Sequence, residues 1–237
     1  MTEPKYRRVV LKLSGEALLG KQTHGISTDA LRRITTEIEK AYHVGAQLAI
    51  VIGGGNIWRG GSDEAASINR VTADNMGMLA TIINSLALQD ALEKRGIPTR
   101  VQSAIEVTKL AEPYIPRRAA RHLEKKRVVI FAGGIGSPYF TTDTTAALRS
   151  IEIGAQVLLK ATKVDGVYTD DPKKNSKAKK YSTLDFNEAI SKRLKIMDTS
   201  AFTLCMDNKI AVLVFDLNVP GNIARAVRGE KVGTLIK

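Results

Sequence analysis

The stretch that most constrains the fold runs over residues 128–149 and reads VVIFAGGIGSPYFTTDTTAALR. It begins with four apolar residues, mostly β-branched, which is typical of a strand buried on both faces of a parallel sheet. A glycine loop over residues 132–138 follows, and residues 141–143 then supply the N-cap chemistry of a helix. Free backbone N–H groups at such a helix start point at an anion, and glycines let the anion approach. The stretch therefore predicts a strand, a turn and a helix that together bind phosphate.

Two other glycine-rich stretches are relevant to the prediction of a phosphate site. Gly53, Gly54 and Gly55 follow a predicted strand over Gln47–Ile52, and three consecutive glycines cost chain entropy unless something must approach the backbone. The G-x-x-x-x-G-K pattern of residues 15–21 suggests a P-loop, but Gln22 stands where a magnesium-binding Ser or Thr is required. The loop after residue 131 lacks the last glycine of the dinucleotide fingerprint, so an ordinary βα turn stays an alternative there.

Strands and helices alternate along the whole chain, which predicts an α/β protein with a largely parallel sheet covered on both sides. Ligands of such folds lie at the carboxyl ends of the strands. Four predicted strand ends carry unusual chemistry, at residues 12–15, 53–56, 133–143 and 160–163. A long helix is expected over Thr72–Lys94, and residues 233–236 are expected to be a final edge strand. Met76, Met78 and Leu79 of this helix are expected to be core or subunit interface. The helix has a continuous apolar face, formed by Met76, Leu79, Ala80, Ile83, Leu86, Ala87 and Ala91.

The amino-acid composition indicates which classes of ligand the protein binds. The net charge of +12 favours anionic ligands, while an aromatic content of 5% argues against a stacking groove for single-stranded nucleic acid. The only cysteine excludes an intrachain disulfide, and the three histidines show no metal-ligand spacing. No apolar segment is long enough for a membrane span, and no proline- or serine-rich linker divides the chain. We expect a cytoplasmic protein whose residues 1–237 form a single domain.

Two lysines at strand ends and one aspartate at a helix start suggest the chemistry. Lys12 and Lys160 end predicted strands, and Asp143 lies between the glycine loops. Neither a Ser-His-Asp order nor a cysteine nucleophile accompanies them. Lysines, backbone amides and an aspartate suit phosphoryl transfer, which needs positioning and charge neutralisation more than covalent catalysis.

At this level of detail the chain resembles a known family. It resembles the amino acid kinase superfamily and, within it, the bacterial uridylate (UMP) kinases, over essentially its whole length. The segments that carry the resemblance are LKLSGEAL (residues 11–18), VIGGGNIWRG (51–60), NRVTADNMGMLAT (69–81), AGGIGSPYFTTDTTAALR (132–149), IEIGAQVLLKATKVDGVYTDDP (151–172) and MDTSAFTLCMDN (197–208).

The resemblance implies a three-layer α/β/α sandwich, a homohexamer, and transfer of the ATP γ-phosphoryl group to UMP with Mg²⁺, within pyrimidine nucleotide biosynthesis. The acceptor side would lie mainly in residues 1–150 and the ATP side mainly in residues 151–237. Positions matching the family's ATP site are Lys12, Leu13, Ser14, Gly15, Gly55, Arg59, Thr162, Tyr168 and Asp171. Positions matching its UMP site are Gly54, Asp74, Ile135, Gly136, Ser137, Pro138, Tyr139, Phe140, Thr141 and Thr142.

By the same match, Lys12 and Lys160 would neutralise the moving phosphoryl group. Asp143 would orient the lysines or the water shell of magnesium. The family loop usually reads AGGTGNPFF, and here Ile135, Ser137 and Tyr139 depart from it. Because Ile135 has no side-chain hydrogen-bonding group, the sequence leaves open whether uracil is strictly preferred and whether UTP inhibits. It also leaves open whether GTP activates the enzyme.

Other hypotheses stay open on the sequence alone. A sibling kinase could phosphorylate a carboxylate or carbamate, and a regulatory module on the same fold could sense nucleotides or bind nucleic acid. The set of Lys12, Asp143 and Lys160 argues against a sensor without catalysis, and nucleic acid is the less favoured ligand. The lysine-rich residues 173–180 lack an apolar period, and we expect them to form a mobile flap over the ATP side.

Overall fold

The computed structural model describes residues 3–59, 67–170, 172, 174–175, 177–194 and 196–237. The strands are β1 Arg8–Leu13, β2 Gln47–Ile52, β3 Thr99–Ser103, β4 Glu112–Pro113, β5 Val128–Ala132, β6 Val157–Thr162, β7 Thr183–Leu184, β8 Ala211–Asp216 and β9 Gly233–Ile236. The α-helices are α1 Thr28–Tyr42, α2 Arg70–Glu93, α3 Pro116–Glu124, α4 Thr142–Glu152, α5 Phe186–Ser191, α6 Thr199–Asp207 and α7 Asn222–Val227, and Gly15–Leu18 forms a 3₁₀ turn.

The strands form one sheet in the order β4-β3-β5-β2-β1-β6-β8-β9-β7. Every pairing is parallel except that of β8 with β9, so the predicted, largely parallel sheet is confirmed. The expectation that β9 forms an edge is wrong, because β7 pairs with its outer side. At two residues, β7 is too short to show an alternating pattern in the sequence.

Helices cover both faces of the sheet, which confirms the α/β/α sandwich. Side chains of α1, α2 and α7 join one apolar cluster with one face of the central strands. Side chains of α3, α4, α5 and α6 join a second cluster with the other face. Central strands are buried on both sides, as the fully buried run Val128–Ala132 shows. This arrangement leaves the carboxyl ends of the strands as the place where loops of both layers meet.

Helix α2 exposes part of its apolar face, which was expected in the core or at a subunit interface, and it buries several polar side chains. Leu79 and Ile83 are each 50% exposed, whereas Thr81, Asn84 and Ser85 are buried with Ala80. Thr81 and Asn84 face inward because the glycine loops beside α2 present backbone groups that need hydrogen-bond partners. Its apolar residues are thus divided between the core and an exposed face. Among the described residues, no helix has both the length and the hydropathy required to cross a membrane.

The sheet order brings the two strand-end lysines together. From β1 the chain continues to β2 on one side, whereas β6 joins β1 on the other side. Lys12 and Lys160 are direct partners in the β1–β6 register. The crevice outside such a reversal of strand order is where open α/β sheets bind their ligands.

Candidate active site

Lys12, Asp143 and Lys160 form a partly buried cluster above the carboxyl ends of β1 and β6. The Lys12 Nζ lies 2.9 Å from Asp143 Oδ1, and the Lys160 Nζ donates to Asp143 Oδ2. The three side chains are 14%, 14% and 11% exposed, in the order Lys12, Asp143, Lys160. The carboxylate therefore holds two ammonium groups side by side at the edge of a solvent-accessible crevice.

Burial and charge act together on the protonation of this cluster. Burial alone would raise the pKa of the Asp143 carboxyl, but the Lys12 and Lys160 charges outweigh it and hold that pKa below its usual range. Burial lowers the pKa of the Lys160 ammonium, and the Lys12 charge adds to this against the opposing effect of Asp143. Two lysines and one aspartate give the cluster a formal excess of one positive charge, which suits a phosphoryl group.

The start of α4 places Asp143 beside the lysines. Thr141 is the N-cap, and its Oγ1 accepts from the backbone N–H groups of Asp143 and Thr144 at 3.0 and 3.3 Å. The predicted capping role of the threonine run is confirmed at this residue. Because Asp143 lies in the first turn, its carboxylate is also favoured by the helix dipole.

Asp198 supports this helix start, and sequence reasoning missed it. Its Oδ1 accepts from the hydroxyl of Thr144 at 2.9 Å and from the backbone N–H of Ala201 at 2.9 Å, and its Oδ2 accepts from the hydroxyl of Thr141. Asp198 is therefore the N-cap of α6 and also holds the N-terminus of α4. A capping pattern indicates the first role, but a contact 54 residues away leaves no local pattern.

We expect Asp198→Ala to lower the free energy of unfolding by about 1–3 kcal/mol, since an N-cap and hydrogen bonds to two threonines are lost. It should also weaken binding of the acceptor, because Thr141 belongs to the predicted UMP loop. Denaturant unfolding and the KM for UMP measure the two effects. Asp185→Ala is the matched control, because Asp185 caps α5 without a contact to α4. Equal KM values for both variants would contradict the supporting role of Asp198.

Three glycine loops lie at the strand ends: the first contains Gly15, the second is residues 53–55 and the third is residues 132–138. The first two loops pack against each other and against α2. A Cβ atom on Gly15 would lie 2.5 Å from the carbonyl oxygen of Gly53, and one on Gly54 would lie 2.8 Å from that of Gly77. Neither position can accept a side chain without backbone movement. Leu13 is fully buried and takes part only through its backbone, where its carbonyl accepts from the N–H of Gly53 at 3.0 Å.

The predicted UMP loop, residues 135–142, is partly exposed beside the start of α2. The backbone N–H of Tyr139 donates to Asp74 Oδ2 at 2.8 Å, and Arg70 Nε donates to the same oxygen at 2.8 Å. Tyr139 has a left-handed backbone, with φ 71°, and Arg70 lies 5.4 Å from its ring. The structure thus brings Asp74, far away in sequence, onto the loop that the resemblance assigns to the same ligand.

Four of the nine predicted ATP residues line two cavities that flank Lys160. One, of about 490 Å³, is lined among others by Lys12, Ser14 and Thr162. The other, of about 570 Å³, is lined by Lys160, Thr162 and Tyr168 among others. Tyr168 donates its hydroxyl to Asp165 at 2.9 Å, which helps to raise its pKa. Asp171 lies outside the described residues.

Glu16 lines the smaller of these cavities and contacts two basic side chains. It forms ion pairs with Arg59 and with Lys163, the latter at 2.7 Å. Gly55 lies next to Arg59, with a potential Cβ position 3.8 Å from Arg59 Nε. Residues 173 and 176 of the expected flap lie outside the described residues, and Lys180 at its end pairs with Asp165 at 2.9 Å.

Comparisons with known proteins agree with this geometry. The sequence profile described as the amino acid kinase family matches residues 7–216. The crystal structure of UMP kinase from Bacillus anthracis superposes with a TM-score of 0.95 at 42% identity, covering 98% of this chain and 96% of that one. UMP kinase from Ureaplasma parvum gives 0.93 at 39% identity, with coverage of 98% and 99%.

A more distant relative shows the same fold. Uridylate kinase from Archaeoglobus fulgidus superposes with a TM-score of 0.72 at 30% identity, covering 97% of this chain and 99% of that one. The likeness extends over nearly the full length of each chain. The protein therefore belongs to the amino acid kinase family.

Proposed function

We propose that this protein is a UMP kinase that transfers the γ-phosphoryl group of ATP to UMP, giving UDP and ADP for pyrimidine nucleotide synthesis. The observation that carries the proposal is the Lys12–Asp143–Lys160 cluster at the junction of the glycine loops and the loop over residues 135–142. Solved relatives at 39–42% identity that are UMP kinases support the choice of acceptor.

The cluster suits this reaction without a general base. The UMP phosphate has a second pKa of about 6 and is mostly a dianion at neutral pH, so no proton must be removed from it. The main free-energy cost of the reaction is that of holding two polyanions in line. Cationic side chains and backbone N–H groups reduce this cost. Lys12 and Lys160 would neutralise the phosphoryl group in transit, and Asp143 would hold both ammonium groups in position.

The remaining predicted residues divide between the substrates. ATP would be bound by Lys12–Gly15, Gly55, Arg59, Thr162, Tyr168 and Asp171. UMP would be bound by Gly54, Asp74 and residues 135–142. Binding of ATP would draw Arg59 and Lys163 from Glu16 to the phosphates, because a polyphosphate carries more charge than one carboxylate.

Mg²⁺ would enter with ATP. Kinases hold this ion by one or two carboxylates together with the substrate phosphates and water. Among the described residues, no three His, Cys, Asp or Glu side chains form a group that could hold a metal ion. Asp143 fits the ion's water shell, since each of its oxygens already faces a lysine. When bound, the ion neutralises charge on the ATP phosphates.

A coupled assay of ADP release tests the acceptor. Wild-type protein with ATP and Mg²⁺ should turn over UMP and should not turn over acetylglutamate. CMP and dUMP test whether Ile135 and Ser137 relax recognition of the base and the ribose. Comparable turnover of CMP would support the same phosphoryl-transfer reaction with a wider specificity for the base. Turnover of acetylglutamate with none of UMP would instead support a sibling kinase.

The assembly and its regulation follow from the same proposal. Leu79 and Ile83 on α2 leave apolar surface that a homohexamer would cover, and sedimentation would then give six times the chain mass of 25.8 kDa. GTP as activator, UTP as inhibitor, a cytoplasmic location and a single domain over residues 1–237 stay predictions. Rates measured with each added nucleotide test the regulation.

A further inference from the structure

We propose that Thr81 and Asn84, on the inner face of α2, are positioning residues that hold the donor and acceptor loops in register for transfer. This inference rests on the proposed function, because it assigns the loops to ATP and UMP. Neither side chain is within the Lys12–Asp143–Lys160 cluster. Both act through backbone groups of the glycine loops, which are the parts of the site that carry no side chain of their own.

Asn84 fixes the second glycine loop through a buried pair of amides. Its Nδ2 donates to the carbonyl of Gly53 at 2.7 Å and to Asn56 Oδ1 at 2.7 Å, while Asn56 Nδ2 donates back to Asn84 Oδ1 at 3.0 Å. Asn84 is fully buried and Asn56 is 3% exposed. Gly15 of the predicted ATP loop lies against the same two groups, Asn56 Oδ1 and the Gly53 carbonyl. The amide pair therefore sets the separation of the first two loops.

Thr81 fixes the third glycine loop from the preceding turn of the same helix. Its Oγ1 accepts from the backbone N–H of Gly133 at 2.9 Å and donates to the carbonyl of Met78 at 2.7 Å. Gly133 begins the turn that leads into residues 135–142. Gly77, one turn earlier, contacts Gly54 through its carbonyl oxygen. Positions 77, 81 and 84 share one face of a helix, so α2 contacts the second and third loops along one stripe.

A positioning role explains why this stripe is polar. Buried hydroxyl and amide groups cost free energy unless each is paired, and an apolar stripe would suffice for packing alone. Here the partners are loop backbone groups that no neighbouring strand satisfies. Small displacements of such loops reduce transfer strongly, because reacting groups must be aligned within a fraction of an ångström.

The first test separates the acceptor loop from the rest of the helix. Thr81→Val keeps the shape and removes the acceptor of the Gly133 N–H, so the KM for UMP should rise about tenfold while the KM for ATP stays unchanged. Thr81→Ser should restore the wild-type KM. Ser85→Ala is the matched control, because the Ser85 hydroxyl is equally buried but bonds only to its own helix, at the Thr81 carbonyl.

The second test uses a pH signature that a loss of packing would not produce. In Asn84→Asp, a charged carboxylate faces the Gly53 carbonyl, whereas the protonated form can donate to it. Burial raises the pKa of such a carboxyl, so the ratio of variant to wild-type kcat/KM should rise about tenfold from about pH 8 to about pH 6. Thermal unfolding at each pH shows whether the variant is folded, and Thr81→Val decides the matter if it is not.

The outcomes are distinct from those of the proposed function. Wild-type protein without UMP phosphorylation would overturn the function itself. With wild-type activity intact, the positioning role is overturned if Thr81→Val matches Ser85→Ala in both KM values. It is equally overturned if folded Asn84→Asp keeps a constant activity ratio across the pH range.

Discussion

Lys160→Met should lower kcat for UDP formation by about 10²–10³-fold, the range found when one preorganised donor to a developing charge is removed. Methionine keeps an unbranched side chain at this 11% exposed position but supplies no charge to the phosphoryl group. Lys160 lies directly opposite Lys12 in the β1–β6 register, so the variant keeps the Lys12 ammonium beside Asp143 and loses the other positive charge of the cluster. Single-turnover kinetics with saturating ATP and UMP measure the effect on the chemical step.

A control substitution at an exposed lysine and a pH profile complete the test of Lys160. Lys94→Met removes a 73% exposed lysine that pairs with Asp90, and it should leave kcat unchanged. Because burial lowers the pKa of Lys160, wild-type activity should decline at alkaline pH earlier than an ordinary lysine would cause. Lys160→Arg should move that decline to higher pH, since arginine stays charged. More than a tenth of wild-type kcat in Lys160→Met would contradict a direct role.

Asp143→Asn should lower kcat by about 10²-fold, a loss typical of misplaced electrostatic groups. The amide carries no charge to hold the Lys12 and Lys160 ammonium groups, so they repel each other and leave their positions. The same change should lower the free energy of unfolding at neutral pH by about 3 kcal/mol, because two partly buried cations lose their counter-charge. Asp90→Asn, at an exposed pair on α2, should change neither quantity measurably.

The direction of the Asp143 pKa shift predicts how the stability loss in Asp143→Asn changes with pH. The pKa of Asp143 is depressed in the folded protein, so its contribution is complete above the ordinary carboxyl pKa and is lost as pH falls through the depressed value. The stability difference between wild type and Asp143→Asn should therefore be largest at neutral pH and shrink in acid. A difference that stays constant into acid would show that the charge of Asp143 does not stabilise the fold.

The sequence predicted those parts of the fold whose signals are local. Strand β2 covers Gln47–Ile52, the range that the sequence predicts. The buried run before the third glycine loop and the capping threonine at residue 141 were likewise visible. The meeting of Lys12 and Lys160 followed from the rule that carboxyl ends of parallel strands share one edge.

Other features depend on contacts that no local pattern encodes. Asp198 reaches the start of α4 from another helix, and β7 is too short to recognise. The inward turn of Thr81 and Asn84 is set by loops that pack against α2, which overrides the apolar periodicity of that helix. The pairing of Glu16 with Arg59 and Lys163 also joins three separate loops.

The most direct test of UMP kinase activity follows the phosphoryl group itself. ATP labelled in its γ-phosphoryl group is incubated with the protein, Mg²⁺ and UMP, and the products are separated and identified. The account predicts label in the β-phosphate of UDP at a rate equal to ADP formation, and almost none with Asp143→Asn. Label in inorganic phosphate alone, or no loss of label from ATP, would contradict it.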